Sequence, residues 1–158
     1  MRYIFPLLLS IVLSPLSWSA DFQKGLTAFD NGDYATALRE WTPLAEQGDA
    51  IAQYNLGLMY YNGEGVPQDY KEALKWHTRA AKQGHPNAQN NLGVMYYAGY
   101  GVLQDDVYAH MWWNIAASNG DEDSSKHRNQ VAERMTTEQI AEAQKLAREC
   151  VAKNYKGC

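Results

Sequence analysis

From residue 49 the chain repeats its own order of apolar, small and polar positions. Residues 49–84 and 85–120 superpose at an offset of 36 without a gap, and 18 of the 36 positions are identical. In the first copy Ala52, Leu56, Met59 and Tyr60 recur at spacings of three and four, which places them on one face of a helix. Asn62-Gly63-Glu64-Gly65 ends that helix, because glycine accepts the backbone turns that side chains resist. Pro67 sets an extended entry to the next element, and Asp69 is placed to cap it. Ala73, Trp76, Ala80 and Ala81 mark the face of a second helix, which Gly84 ends. The second copy repeats the scheme through Ala88, Leu92, Gly93, Met95, Tyr96, Gly99, Gly101, Asp105, Ala109, Trp112, Ala116 and Gly120, with Leu103 in place of Pro67. A period of this length with two helices per unit predicts a stacked helical array.

The pattern continues upstream in a shorter form. Asp33, Ala37, Leu44, Ala45 and Gly48 match Asp69, Ala73, Ala80, Ala81 and Gly84 at the same offset of 36, with Gly25 and Phe29 ahead of Asn31-Gly32. Residues 21–48 therefore read as a degenerate hairpin with a shortened loop, and three hairpins approach the minimum for a stable stack. Downstream, residues 121–158 depart from the repeat. Residues 121–134 are polar and helix-compatible. Thr136 and Gln139 fit a capping box. Ile140, Ala143, Ala147 and Cys150 mark one face of a helix over about 137–153, with Glu142, Lys145, Arg148 and Glu149 on the other. A helix with one polar face suits the end of an array. The fold expected is all-α: antiparallel helical hairpins stacked as a solenoid, closed by a C-terminal capping helix. Gly57, Ala73 and Ala80 are expected to let helix backbones approach, with Tyr60 and Trp76 filling the space beside them.

Charge and the chain ends change the picture in two places. The net charge is −4 with both signs interspersed, and no Lys/Arg stripe points to a nucleic-acid partner. The first 20 residues carry Arg2, an apolar run from Ile4 to Leu16, and then small residues, which reads as a secretory signal peptide. The run is short for a membrane span. Cleavage after Ser19 or after Ala20 both fit, and a retained N-terminal anchor is the alternative. No Cys lies at the junction to carry a lipid. The remainder is expected to be periplasmic or secreted, without an integral membrane segment, and monomeric when unbound. Cys150 and Cys158 fall in the exported part, where a pair of this kind bridges. Closing so short a loop stabilises by about 2–3 kcal/mol. The alternatives are a redox-active pair or a metal site, against which stand the wide spacing and the lack of a nearby His.

The search for chemistry returns no catalytic, metal or cofactor assignment. His77, His85, His110 and His127 sit at non-equivalent repeat positions and show no zinc-ligand spacing. His77 aligns with Trp113. Asp69 and Asp105 precede helices at the same repeat position, so capping accounts for both. Gly63-Glu64-Gly65 and Gly99-Tyr100-Gly101 follow helices and lack the third glycine of a nucleotide loop. Ser124-Ser125 near His127 shows no triad logic.

The run Ala52-x3-Leu56-Gly57-x2-Tyr60-x2-Gly63-x-Gly65-Val66-x2-Asp69-x3-Ala73-x2-Trp76-x3-Ala80-Ala81-x2-Gly84 resembles the Sel1-like repeat, a relative of the tetratricopeptide repeat with a longer internal loop. The resemblance covers residues 49–120 twice over, while 21–48 is closer to a plain tetratricopeptide unit. It implies a right-handed superhelix and an adaptor role toward a protein or peptide partner in the bacterial envelope. It also implies that the first helix of each hairpin lines a concave groove. Carried over by position, the groove residues are Phe22, Leu26 and Phe29; Ile51, Tyr54, Leu58, Tyr61 and Asn62; and Asn87, Asn90, Val94, Tyr97 and Ala98. Aromatic anchors with amide groups between them suit a bound peptide. Two other roles are carried by relatives: a cell-wall or β-lactam-related enzyme, known among members with a cysteine pair in each repeat, and a permanent subunit of an envelope machine. This chain has no cysteine within its repeats.

Overall fold

Every predicted helix forms, and each starts at a residue able to hold its first free N–H groups. The computed structural model describes residues 20–158, so residues 1–19 of the expected signal peptide lie outside the described residues. The helices are α1 (Phe22–Asp30), α2 (Tyr34–Glu46), α3 (Ala50–Asn62), α4 (Tyr70–Ala81), α5 (Pro86–Ala98), α6 (Asp106–Ser118), α7 (Glu122–Ala132) and α8 (Thr137–Ala152). Asp21, Asp33, Asp49, Asp69, Asp105 and Asp121 each accept a first-turn backbone N–H. His85 does the same for α5 through Nδ1, at 3.3 Å from the Ala88 nitrogen. At Thr136 both arms of the capping box are made, at 2.9 and 3.2 Å.

The chain folds as an α/α solenoid. α1 pairs with α2, α3 with α4 and α5 with α6, and the second helix of each hairpin packs on the first helix of the next. Ala37, Ala73, Ala80, Ala109 and Ala116 are fully buried at these crossings, as the small-residue pattern requires. Gly57 does something other than admit a second backbone. Trp41, His77 and Trp113 recur at an offset of 36, and each lays its ring on a helical glycine of its own hairpin. A Cβ at Gly25, Gly57 or Gly93 would stand 2.4–2.6 Å from the ring of Trp41, His77 or Trp113 respectively. The glycine is a seat for a side-chain ring. His77 occupies the place that its two neighbours give to tryptophan.

A second repeated device holds the hairpins together. The Gln53 amide donates to the Ala45 carbonyl at 2.9 Å, and Gln89 donates to Ala81 at 3.1 Å. Gln83 donates to Gln53 Oε1 at 2.9 Å, and Asn119 donates to Gln89 Oε1 at 2.8 Å. Gln53 and Gln89 thereby give the last-turn carbonyls of α2 and α4 a second partner beside the turn N–H groups of Gly48 and Gly84.

The C-terminal helices continue the packing of the array beyond residue 121. α7 packs on α6 as α5 packs on α4, and it takes the place of a further first helix. At the offset of 36, Asp121 follows His85, Ser124 follows Ala88, His127 follows Asn91, Gln130 follows Val94 and Val131 follows Met95. Arg128 stands where Leu92 stood and reaches Asn114 Oδ1 at 3.1 Å. α8 then lies against α6, covering Met111, Trp112 and Ile115 with Ala147 and Cys150. Cys150 and Cys158 are disulfide-bonded. The loop they close carries Tyr155 back to the hairpin junctions: its hydroxyl accepts from Asn119 Nδ2 at 3.0 Å, and its ring lies beside Gly84.

Candidate interaction groove

Two adjoining cavities open along the first helices. One, of about 150 Å³, lies between α3 and α5 and is lined by Leu58, Tyr61, Asn62, Asn91 and Val94. The other, of about 270 Å³, is lined by Val94, Tyr97, Trp113, His127, Gln130 and Val131. Val94 borders both and forms the ridge between them. Helical spacing explains the arrangement. Leu58, Tyr61 and Asn62 lie three and four residues apart on one face of α3, and Val94 with Tyr97 repeats this on α5. The partly exposed face of the first helix is left open because Ala52, Leu56 and Met59 bury the opposite one.

Of the positions expected in the groove, Leu58, Tyr61, Asn62, Val94 and Tyr97 are thus brought together. The others are placed differently. Phe22 and Phe29 pack on Trp41, with ring centroids 5.9 and 5.5 Å away, and Leu26 packs on the same buried cluster. All three are half-buried and border neither of the two cavities. Tyr54 stacks on His85 at 4.7 Å and borders His77 at 5.7 Å. Asn90 Oδ1 lies 3.3 Å from His127 Nδ1, tying α5 to α7 across the groove. Asn87, Ala98 and Ile51 are exposed. Five lining residues were not anticipated: Asn91, Trp113, His127, Gln130 and Val131. Asn91 is engaged with His77 Nε2 at 3.3 Å. Trp113 comes from a second helix, and its equivalence to Trp41 and His77 was the available signal. His127 comes from α7, which Asp121 marks at the capping position of the repeat.

The lining holds no ionised carboxylate, lysine or arginine. Burial, with Tyr100 and Tyr70 beside it, pushes the Tyr61 phenol up. Tyr61, Tyr70 and Tyr100 form one aromatic cluster, with Tyr70 and Tyr100 stacked at 4.5 Å. Charges stand only at the ends. At the α3 end Glu64 Oε2 accepts from Asn62 Nδ2 at 3.3 Å. At the other end the Arg134 guanidinium lies over the Tyr97 ring at 4.2 Å and pairs with Asp106. Among the described residues no three His, Cys, Asp or Glu side chains are grouped to hold a metal ion. No helix among them is long and apolar enough to cross a membrane.

An open, uncharged groove on a stack of helical hairpins defines a helical-repeat scaffold. The Sel1 repeat family matches residues 50–85 and 86–121. A Sel1 repeat protein from Oxalobacter formigenes superposes with a TM-score of 0.64 at 34% identity, covering 69% of this chain and 85% of that one. The chain belongs to the Sel1 repeat family. A protective antigen of uropathogenic Escherichia coli strains, displaying an SLR fold, superposes with a TM-score of 0.77 at 29% identity over 83% of this chain. The present chain spans 30% of that antigen's length. No curated protein matches by sequence. Sel1 repeats commonly mediate protein–protein interaction, and proteins built from them are in general non-catalytic scaffolds.

Proposed function

We propose that this chain is a non-catalytic adaptor of the bacterial cell envelope that holds a peptide or protein segment of a partner in its concave groove. The observation that carries the reading is the pair of cavities meeting at Val94. They are lined mainly by side chains of α3, α5 and α7, with Trp113 of α6 in the second. Apolar walls with Asn62, Asn91 and Gln130 at hand suit a ligand that presents both side chains and free peptide groups. The disulfide at the C-terminal end is compatible with an oxidising compartment. The partner-binding residues are Leu58, Tyr61, Asn62, Asn91, Val94, Tyr97 and Gln130, with Asn87 and Asn90 at the α5 entrance and Tyr54 behind them.

Photo-crosslinking in cells tests this. A photoreactive residue at Asn62 or Gln130 should yield one discrete adduct that is absent from Lys75 and Arg148 controls on other faces. Equal labelling from all four positions, or none from any, would count against a groove ligand.

A further inference from the structure

The two cavities share their apolar walls and differ in their polar groups. Resting on the groove reading, we infer that the first cavity receives the guanidinium of an arginine side chain of the partner. At the offset of 36, Leu58 and Tyr61 recur as Val94 and Tyr97, which wall the second cavity. Asn62, Glu64, His77 and Asn91 do not recur: their equivalents are Ala98, Tyr100, Trp113 and His127. Both sets are compatible with the same pairing of helices, so the repeat itself demands none of the first four. What these four build together is a set of hydrogen-bond acceptors.

Each amide is turned by a neighbour. Asn91 Nδ2 lies 3.3 Å from His77 Nε2, and Asn62 Nδ2 donates to Glu64 Oε2 at 3.3 Å. Against an amide nitrogen, the neutral imidazole accepts at Nε2 and carries its proton on Nδ1. The two amide nitrogens are thus engaged by the protein. Neither Oδ1 accepts a hydrogen bond among the described residues. The half-buried Glu64 carboxylate pairs with no cation among those residues. No Lys or Arg among them lines the cavity.

Open acceptors, an uncompensated carboxylate and an aromatic wall select a flat cation rich in N–H groups. An ammonium is a compact, strongly hydrated point charge, whereas a guanidinium carries its donors in a planar fork. The acceptors stand on two helices, Asn62 on α3 and Asn91 on α5, and a fork can serve more than one of them. The Tyr61 ring borders the same space, and Leu58 and Val94 supply apolar surface for the aliphatic stem. A volume of about 150 Å³ is below the roughly 300 Å³ at which drug-sized ligand sites begin, so the cavity takes a single side chain. A carboxylate placed there would meet two amide oxygens and Glu64. An apolar side chain would cover those oxygens without pairing them.

A titration of the isotope-labelled protein with N-acetyl-arginine amide, followed by NMR, provides the test. Saturable shifts are expected at the Asn62 and Asn91 side-chain amides. N-acetyl-citrulline amide, which keeps the shape and loses the charge, should bind about tenfold more weakly. Glu64→Gln should weaken arginine about fivefold and leave citrulline unchanged. The pair Asn62→Ala with Glu64→Tyr installs the residues of the second copy, so the fold is expected to survive, as circular dichroism would check; arginine binding should then be lost. Equal affinity for citrulline, tighter binding of N-acetyl-leucine amide, arginine shifts confined to other faces, or no saturable shift would each overturn the assignment. The groove reading is tested separately by the crosslinks from Asn62 and Gln130. A discrete Asn62 adduct on a partner segment without arginine would keep the groove and refute the arginine.

Discussion

His77 makes the stability of this solenoid depend on acid. It is 0% exposed, its ring lies on Gly57, and Nδ1 has no hydrogen-bond partner. Its neighbours are the Tyr54 ring, His85 at the α5 cap and the Asn91 amide on Nε2. None of these is a carboxylate that would welcome a proton. Burial first, and the His85 charge second, hold the imidazole down to about 3. An unfolded histidine titrates near pH 6.5. Above that pH both states are neutral, and the folded state loses nothing. Below it the unfolded chain takes a proton that the folded chain refuses. Stability therefore falls as pH falls, by at most about 1.4 kcal/mol per pH unit, until the folded group titrates.

From pH 7.5 to about pH 5 the loss comes to about 2 kcal/mol. At the lower pH nearly every folded molecule still holds neutral His77, so the unfolded value sets this figure and the folded value decides only how much further the loss runs. His85 and His110 are also lowered by burial, with Arg128 adding to the effect on His110, and they act in the same direction. A variant is therefore needed to isolate His77. His77→Phe keeps a flat ring over Gly57 and removes the titration. Urea unfolding followed by tryptophan fluorescence, at steps between pH 7.5 and 5, should show the wild type losing about 2 kcal/mol more than the variant. Parallel losses in the two proteins, or an NMR titration of folded His77 near its unperturbed value, would refute the reasoning.

Three further outcomes follow from the packing. Reducing Cys150–Cys158 should lower stability by up to about 2–3 kcal/mol, and amide exchange should quicken at Tyr155 before it does in α6; unchanged melting in reductant would oppose this. Gly93→Ala places a methyl group 2.4 Å from Trp113 Nε1, so the ring must shift at a cost of about 1–3 kcal/mol, read from the denaturant midpoint. Gln89→Leu strips the Ala81 carbonyl and Asn119 of a partner at once and should cost about 1–3 kcal/mol, whereas the exposed Asn87→Ala should be near neutral.

The parts of this fold that depend on neighbours in sequence were legible before the structure. Caps at Asp33, Asp69, Asp105 and Thr136, and the turns at Gly63 and Gly99, follow from local geometry. The α3 and α5 face carrying Leu58, Tyr61, Val94 and Tyr97 was legible only through the resemblance to tetratricopeptide-type arrays. What escaped depends on contacts between units. Gly57 looks like a backbone crossing until the His77 ring is seen on it. Gln53 and Gln89 are an identical polar pair beside the buried Ala52/Ala88 and Leu56/Leu92, a signal of buried amides that pattern alone does not aim. The helix over 121–134 was legible, but its place in the stack was not, because Arg128 stands where the repeat has leucine and His127 and Gln130 are polar. Phe22 and Phe29 match groove positions by register and are half-buried against Trp41, a contact that register alone does not show.

The groove and the scaffold are assigned to different residues of the same repeat, and this explains how one can vary without the other. The identical positions Ala52/Ala88, Leu56/Leu92, Gly57/Gly93 and Met59/Met95 are buried and fix the helices. Leu58, Val94 and Gln130 form a row at the offset of 36 on the open side, and their side chains differ. The row sets the cavities: Leu58 borders the first, Gln130 the second, and Val94 both. A change at Leu58 or Gln130 reshapes one cavity, while a change at Val94 moves the ridge and reshapes two. On the groove reading proposed above, the non-identical positions are where partner specificity would be set, and Val94 is the one residue that borders both cavities.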